Sequence, residues 1–517
     1  MNPRSIPEAF RRAAAEFTDA PAVRLPGRNL SFREIDRASD RIAANLAARG
    51  IGKGDRVGLY CINGPEFAMA YLGVLKSGAT VVPVNLLLSP GEVNYILGDA
   101  GVRALFYHQA LAGKAAEARQ GLEKLELAIA IGDGEATTAG DAVLAEWLAG
   151  EGTAPEPAFD PTEDVAAILY TAGTTGYPKG AQLTHGNLLA DSASVCRVLQ
   201  LKAREDVMLV VLPMFHSFAA TVGMLTPLLN GLSFAPVPKF EPGLVVDHIE
   251  ATGATVFLGV PSMYALFLKL PQEQLLRWRS VRFCVSGGAA LPVAVLKGFE
   301  ERFGVPVLEG DGPTECSPVT CVNPLDGERK PGSVGLPIPD VEMRILNERG
   351  TELPDGEMGE VCVRGPNVMK GYLNLPEADA ESFFGDWFRT GDLGYRDADG
   401  YFFLIDRKKD MLIVNGMNVY PRMVEEALYR HPAIAEAAVV GEPHESHGEI
   451  PVAHVVPAEG AVLAPAEVRA WCREQLGRHE VPRKVVIRDA LPKNAAGKIL
   501  KRELRKEGEL ERGVDSR

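Results

Sequence analysis

TVFLGVPSMYALFLKL (255–270), VRFCVS (281–286), PVAVLKGFEERF (292–303) and VPVLEG (305–310) follow one another with short breaks. TVFLG, VRFCVS and VPVLEG are short apolar runs bounded by turn residues, which read as buried strands. PSMYALFLKL and PVAVLKGFEERF read as helices. Strand and helix in alternation is the βαβ unit of a parallel sheet. The turns Gly287-Gly288-Ala289 and Gly310-Asp311-Gly312 fall at the carboxyl ends of two such strands, where open α/β sheets bind ligands.

The same alternation runs through the N-terminal part of the chain. Ser31 and Glu34 stand in capping-box spacing, and Ile35, Ala38, Ile42 and Leu46 share one helical face before Gly50. A strand is expected over 56–61, a helix over EFAMAYLGVLK, and strands at TVVPV and RALFY. Residues 111–160, rich in Ala, Gly and Glu, read as a surface region. From about Asp340 the pattern changes to short strands and turns, a smaller β-rich unit. After the charged run DRKKD (406–410), the last hundred residues alternate helix and strand and could fold alone. The expected fold class is therefore α/β, with a large N-terminal part of βαβ-type sheets, a β-rich subdomain and a small α+β C-terminal domain.

At 517 residues the chain is long enough for two or more domains, and 46% hydrophobic residues supply their cores. A formal net charge of −14 argues against a general nucleic-acid surface. Seven scattered cysteines without a CxxC pair read as reduced thiols, with no disulfide and no zinc site. No apolar leader or C-terminal address is expected, and the location expected is cytoplasmic. Residues 207–238 lack Asp, Glu, Lys and Arg, but Pro213, His216, Pro227, Asn230, Gly231 and Pro236 interrupt them, so they read as buried strand, turn and helix.

YTAGTTGYPKG (170–180) offers an anion backbone N–H groups, threonine hydroxyls and one ammonium. It is not a Walker A loop, because Lys179 follows Pro178, precedes Gly180 and opens no helix. Its strand-like flanks, DVAAILY and AQLT, make it a hairpin loop, and on composition a phosphate cradle and a bland polar turn stand level.

That loop resembles the signature of the adenylate-forming enzymes, the superfamily of acyl-CoA synthetases, peptide-synthetase adenylation domains and beetle luciferases. The resemblance continues in order through LPMFHSFA (212–219), SGGAAL (286–291), GPTE (312–315), GEVCVRGPNVMKGYLN (359–374) and WFRTGD (387–392). DRKKDMLIVNGMNVYP and LPKNAAGKILKREL complete it, so it covers essentially the whole chain. It implies an AMP-binding domain over 1–405, a hinge over 406–410 and a mobile C-terminal domain over 411–517. It also implies ATP, Mg²⁺ and CoA as reactants and cofactor, a carboxylic acid as substrate, and two half-reactions in one site.

Residue by residue, Lys498 matches the catalytic lysine, where residue type alone would suggest a solvated side chain. Glu315 matches the Mg²⁺ carboxylate, Thr314 an α-phosphate donor, and Thr171, Thr174, Thr175 and Lys179 the loop that closes on the β- and γ-phosphates. Gly288 and Ala289 would face adenine. Asp311 stands where the family usually carries a stacking aromatic, and it can accept from the adenine amino group instead. Asp392 and Arg407 match the ribose contacts, Lys409 the hinge, Gly416 the CoA channel and His216 the gating aromatic. As isolated residues, these would read as turn residues, a solvated charge run and a core histidine.

The motifs most resemble bacterial medium- and long-chain fatty acyl-CoA synthetases. An acyl pocket is expected from Phe218, Val260, Met263, Tyr264 and Gly287, although any one of these could equally be plain core. The alternatives are an aryl- or short-chain-acid CoA ligase, a fatty acyl-AMP ligase loading a carrier protein, and a non-catalytic ligand-binding homologue. Expected partners are the small molecules alone, with no nucleic acid and no transmembrane segment. Peripheral membrane contact and a monomeric or homodimeric state are both compatible with the sequence.

Overall fold

The computed structural model describes residues 3–132, 138, 140–171, 178–444, 446–493, 497 and 499–515, with backbone alone for 509–515. Two large sheets dominate. In the first, of nine described strands, the inner strands Pro21–Leu25, Ser233–Pro236, Val207–Val210, Val256–Gly259, Phe283–Ser286 and Val307–Asp311 lie side by side and parallel. Val207–Val210, Ser233–Pro236, Val256–Gly259 and Phe283–Ser286 are buried along their whole length, which is why their sequences run apolar without alternation.

Gly259 pairs with Ser286, and Ser286 with Glu309, so these strands end level and their following turns meet at one edge. The second sheet, of eight described strands, is parallel except at one end. There Val165–Thr171 and Lys179–Thr184 form an antiparallel pair, with Thr171 opposite Lys179. The signature loop thus joins two antiparallel strands, as its flanks suggested.

Residues 111–160 are not a surface region throughout. Leu127–Ile131 is a strand inside the second sheet, and Leu144 and Trp147 of the helix Leu144–Ala149 are buried. Alternating Ala in LAIAI hides that strand from a reading based on large apolar side chains. Residues 207–238 form the strand Val207–Val210, a π-helix at Phe218–Leu225, the short helix Thr226–Leu229 and the strand Ser233–Pro236. No helix among the described residues is long and apolar enough to cross a membrane.

An antiparallel β-rich sheet spans Glu342–Leu346 to Phe402–Arg407, and another sheet begins at Leu412–Val414 and ends at Lys484–Ile487. The two meet through polar contacts. Arg422 N donates to Asp406 Oδ2 at 2.9 Å, and the Arg422 guanidinium to Leu404 O. Arg505 pairs with Asp410, in the link between the two sheets, at 2.5 Å. Ser262 Oγ donates to Gly497 O at 3.3 Å, so the C-terminal segment touches the start of the helix Pro261–Phe267.

Candidate active site

The level strand ends open into a cleft holding about 550 Å³ of empty space. Gly287 and Gly288 form one lip, Gly310, Asp311 and Gly312 the next, and His216, Ser217 and Phe218 the third. Its depth is apolar, walled by Val195, Val198 and Leu199 and by Val222 of the π-helix.

After Asp311 the chain makes a single helical turn, Thr314–Cys316, which presents Thr314 and Glu315. Thr314 Oγ1 lies 3.2 Å from Ser217 Oγ. Glu315 Oε1 accepts from Tyr372 OH at 2.8 Å and from Thr171 Oγ1 at 3.3 Å. Burial and the neighbouring Glu315 push the Tyr372 phenol far above its ordinary range, so it remains a donor. Lys179 Nζ sits 5.1 Å from the centre of the Tyr372 ring, a cation–π distance. Thr171, Lys179, Glu315 and Tyr372 therefore form one connected group.

Asp392 and Arg407 pair across neighbouring strands of the β-rich sheet, with Nε 2.7 Å from Oδ1. Asp392 foremost, then Asp311, Glu315 and Asp410, hold the guanidinium above its ordinary value against desolvation. Lys409 is exposed beside Asp410. Gly416 lies in the exposed turn between Leu412–Val414 and Met417–Val419 and is not part of the cleft wall.

Of the expected acyl-pocket residues, Phe218 and Gly287 line the cleft. Val260 is buried behind Gly288 and beside Gly497. Met263 and Tyr264 belong to the hydrophobic core instead. The Tyr264 hydroxyl donates to Val285 O at 2.9 Å, and its ring packs edge-on against Phe257 and Phe299. A helix that follows a buried strand turns its large side chains onto the sheet, and these two follow that rule. Gly288 lines the cleft, whereas Ala289 is exposed and outside its wall. Thr174, Thr175 and Lys498 lie outside the described residues.

Sequence reasoning missed Ser217, Tyr372 and the wall of Val195, Val198 and Leu199. Tyr372 sat within a recognised motif but carried no role of its own. The wall residues recur at helical spacing, which marks a packed face without saying whether core or ligand fills it.

Comparison with known proteins decides the family. Residues 10–373 match the AMP-binding enzyme family, and residues 423–498 its C-terminal domain. The chain belongs to the AMP-binding enzyme family. Among relatives of this AMP-binding enzyme, a long-chain-fatty-acid–CoA ligase of Bacillus subtilis (strain 168) is 37% identical, over 98% of this chain and 94% of that one. A sulfoacetate–CoA ligase of Cupriavidus necator is also 37% identical, over 96% and 98%. The crystal structure of the anthranilate CoA ligase AuaEII in complex with anthranoyl-AMP superimposes with a TM-score of 0.90 at 29% identity, covering 98% of each chain.

The activity at this level is AMP-forming ligation of a carboxylic acid to CoA, with ATP and Mg²⁺. Among the described residues no group of three or more His, Cys, Asp or Glu could hold a metal unaided. Mg²⁺ typically takes one or two carboxylates and completes its shell with substrate phosphate and water. Both bonds to Glu315 end on Oε1, and Oε2 is in neither. Glu315 would thus hold the ion, which supplies charge neutralisation at the phosphates.

Proposed function

We propose that this AMP-binding enzyme activates a medium- or long-chain fatty acid. The carboxylate oxygen attacks the α-phosphorus of ATP, the bond to pyrophosphate breaks, and an acyl adenylate remains. The CoA sulfur then attacks the acyl carbon, the thiol proton leaves, and the acyl–oxygen bond breaks to release AMP. In the first step two anions must meet, so the work is positioning and charge stabilisation. Thr314, Thr171 and Lys179, with Thr174 and Thr175, hold the phosphates, and Lys498 bridges carboxylate and α-phosphate. Asp392 and Arg407 hold the ribose, and Gly288, Ala289 and Asp311 the base.

The observation that carries the choice of acid is the cleft wall, which includes no Lys or Arg among the described residues. A second acidic group, such as a sulfonate, would be buried there without a counter-charge, at high cost. An aryl acid is the second reading, favoured by the likeness to the anthranilate ligase.

The Ser262–Gly497 bond supports reading the present arrangement as the adenylating one. Rotation about Lys409, within a hinge at 406–410, would then bring Gly416 of the 411–517 domain to the 1–405 domain as one side of a CoA channel. Seven free cysteines, six of them buried, support a reducing compartment such as the cytoplasm.

Pyrophosphate release, measured with CoA across acetate, octanoate, palmitate, benzoate, coumarate and malonate, tests the substrate. The expected outcome is the highest kcat/KM with octanoate or palmitate. A preference for benzoate or coumarate would replace this reading with the aryl one.

A further inference from the structure

Asp191 lies on the helix His185–Val198 with no exposed surface, a position the adenylation chemistry leaves without a role. Its Oδ1 accepts from Val319 N at 3.0 Å, while its Oδ2 has no partner in the structure. The buried Asn367 reaches the same carboxyl. Its Nδ2 donates to Cys316 O at 2.9 Å and to Val319 O at 2.8 Å, and its Oδ1 is likewise without a partner. Rotating that amide by half a turn would set its oxygen against two carbonyls, so the two backbone acceptors fix its orientation. Two buried oxygens that lack a donor, on side chains in contact, are satisfied together by one proton between them.

We propose that Asp191 is a positioning residue that acts as a neutral carboxylic acid. It donates from Oδ2 to Asn367 Oδ1 while Oδ1 accepts from Val319, and it thereby clamps the 314–319 segment. That segment begins with Thr314 and Glu315 and ends with Pro318 and Val319 on the cleft wall. One clamp therefore fixes the groups that meet the phosphates relative to the wall that meets the acid. Burial holds the Asp191 carboxyl well above the usual carboxylate range, opposed by the Val319 N–H. The titratable group facing it is the Cys316 thiol, itself kept protonated by burial.

The role rests on the adenylation reading and is independent of which acid is used. Asp191→Asn can make the same two bonds without a proton to lose, and Asp191→Leu can make neither. Pyrophosphate-release kinetics should show Asp191→Asn within about twofold of the parent in kcat. Asp191→Leu should lose about tenfold or more, the rate equivalent of one lost buried hydrogen bond. The loss should fall on kcat rather than on the KM for CoA, and the ratio of parent to Asp191→Asn should stay flat across neutral pH.

Infrared difference spectra of the substrate-free protein should carry the carbonyl band of a protonated carboxylic acid near neutral pH, absent from Asp191→Asn. An unchanged spectrum, or Asp191→Asn as impaired as Asp191→Leu, would overturn the proposal. The infrared measurement needs neither turnover nor a folded Leu variant. A failed acid screen with an intact band would therefore count against the adenylation reading alone.

Discussion

Glu309, two positions before Asp311, is 2% exposed, and its Oε1 accepts from Leu291 N at 2.8 Å. It thereby ties the strand that delivers Asp311 to the turn that delivers Gly287 and Gly288. Burial pushes its carboxyl from an ordinary 4.5 up to about 7, with Arg422 pulling it down and Glu426 and Asp311 adding to the rise. A carboxyl raised in the folded state favours folding while protonated, so its contribution is complete below pH 4.5 and lost as pH climbs through about 7. The loss is on the order of 3 kcal/mol. Glu309→Gln keeps an oxygen for Leu291 N and should flatten the stability profile between about pH 5 and 7 in denaturant titrations. Parallel profiles for parent and variant would show that Glu309 does not titrate in this window. At this scale the sequence singled out Thr314, Glu315, Asp392 and Arg407 because their motifs carry them, but it gave no warning of Glu309 or Tyr372. Their roles depend on neighbours 18 and 57 residues away in the chain.

Among the elements, the π-helix Phe218–Leu225 matters most to the cleft, because Phe218 and Val222 both face into it. Such i→i+5 winding is rare and recurs at functional sites. Gly223 allows the segment to lie on the strand Val207–Val210: a Cβ there would stand 2.8 Å from Val210 Cγ2. Gly223→Ala must push the segment off the strand, costing roughly 1–3 kcal/mol of stability. We expect it to raise the KM for the acid more than that for ATP, since Phe218 and Val222 move while Asp392 and Arg407 do not. Steady-state kinetics with each substrate varied in turn would check this, and equal changes in both would count against it. The uncharged run 207–238 announced burial but not winding, since apolar residues at short range suit α and π geometry alike. The capping box of Ser31 and Glu34 was fully readable, because both halves of it are local, and both of its hydrogen bonds are present.

For the whole molecule, the contact between Gly497 and Ser262 is the one that tests the proposed division of the two half-reactions. Gly497 has φ +79°, and a Cβ there would lie 2.7 Å from Ser262 Oγ and 3.2 Å from Val260 Cγ2. Gly497→Ala therefore both strains the backbone and pushes the segment away from the cleft. Pyrophosphate release should fall at least about tenfold, while conversion of supplied acyl-AMP and CoA to acyl-CoA should be nearly unchanged. Equal loss in both assays would mean that the segment does not separate the two steps. The pair Arg505–Asp410 ties the last helix to the 406–410 run, and nothing in DRKKD alone distinguishes it from a solvated charge run.

The sequence by itself determined the alternating sheets, the hairpin around the glycine-threonine loop and the family motifs, since periodicity, capping and turn chemistry act over a few residues. Tertiary structure alone decided that Met263 and Tyr264 face the core, that residues 111–160 supply a sheet strand, and that Tyr372 and Thr171 converge on Glu315. It also decided that Asp191 meets Asn367 behind the 314–319 segment. Each of these depends on which surfaces of distant elements are pressed together. Desolvation then sets hydrogen bonding and charge, and no local pattern of residues encodes that pressing.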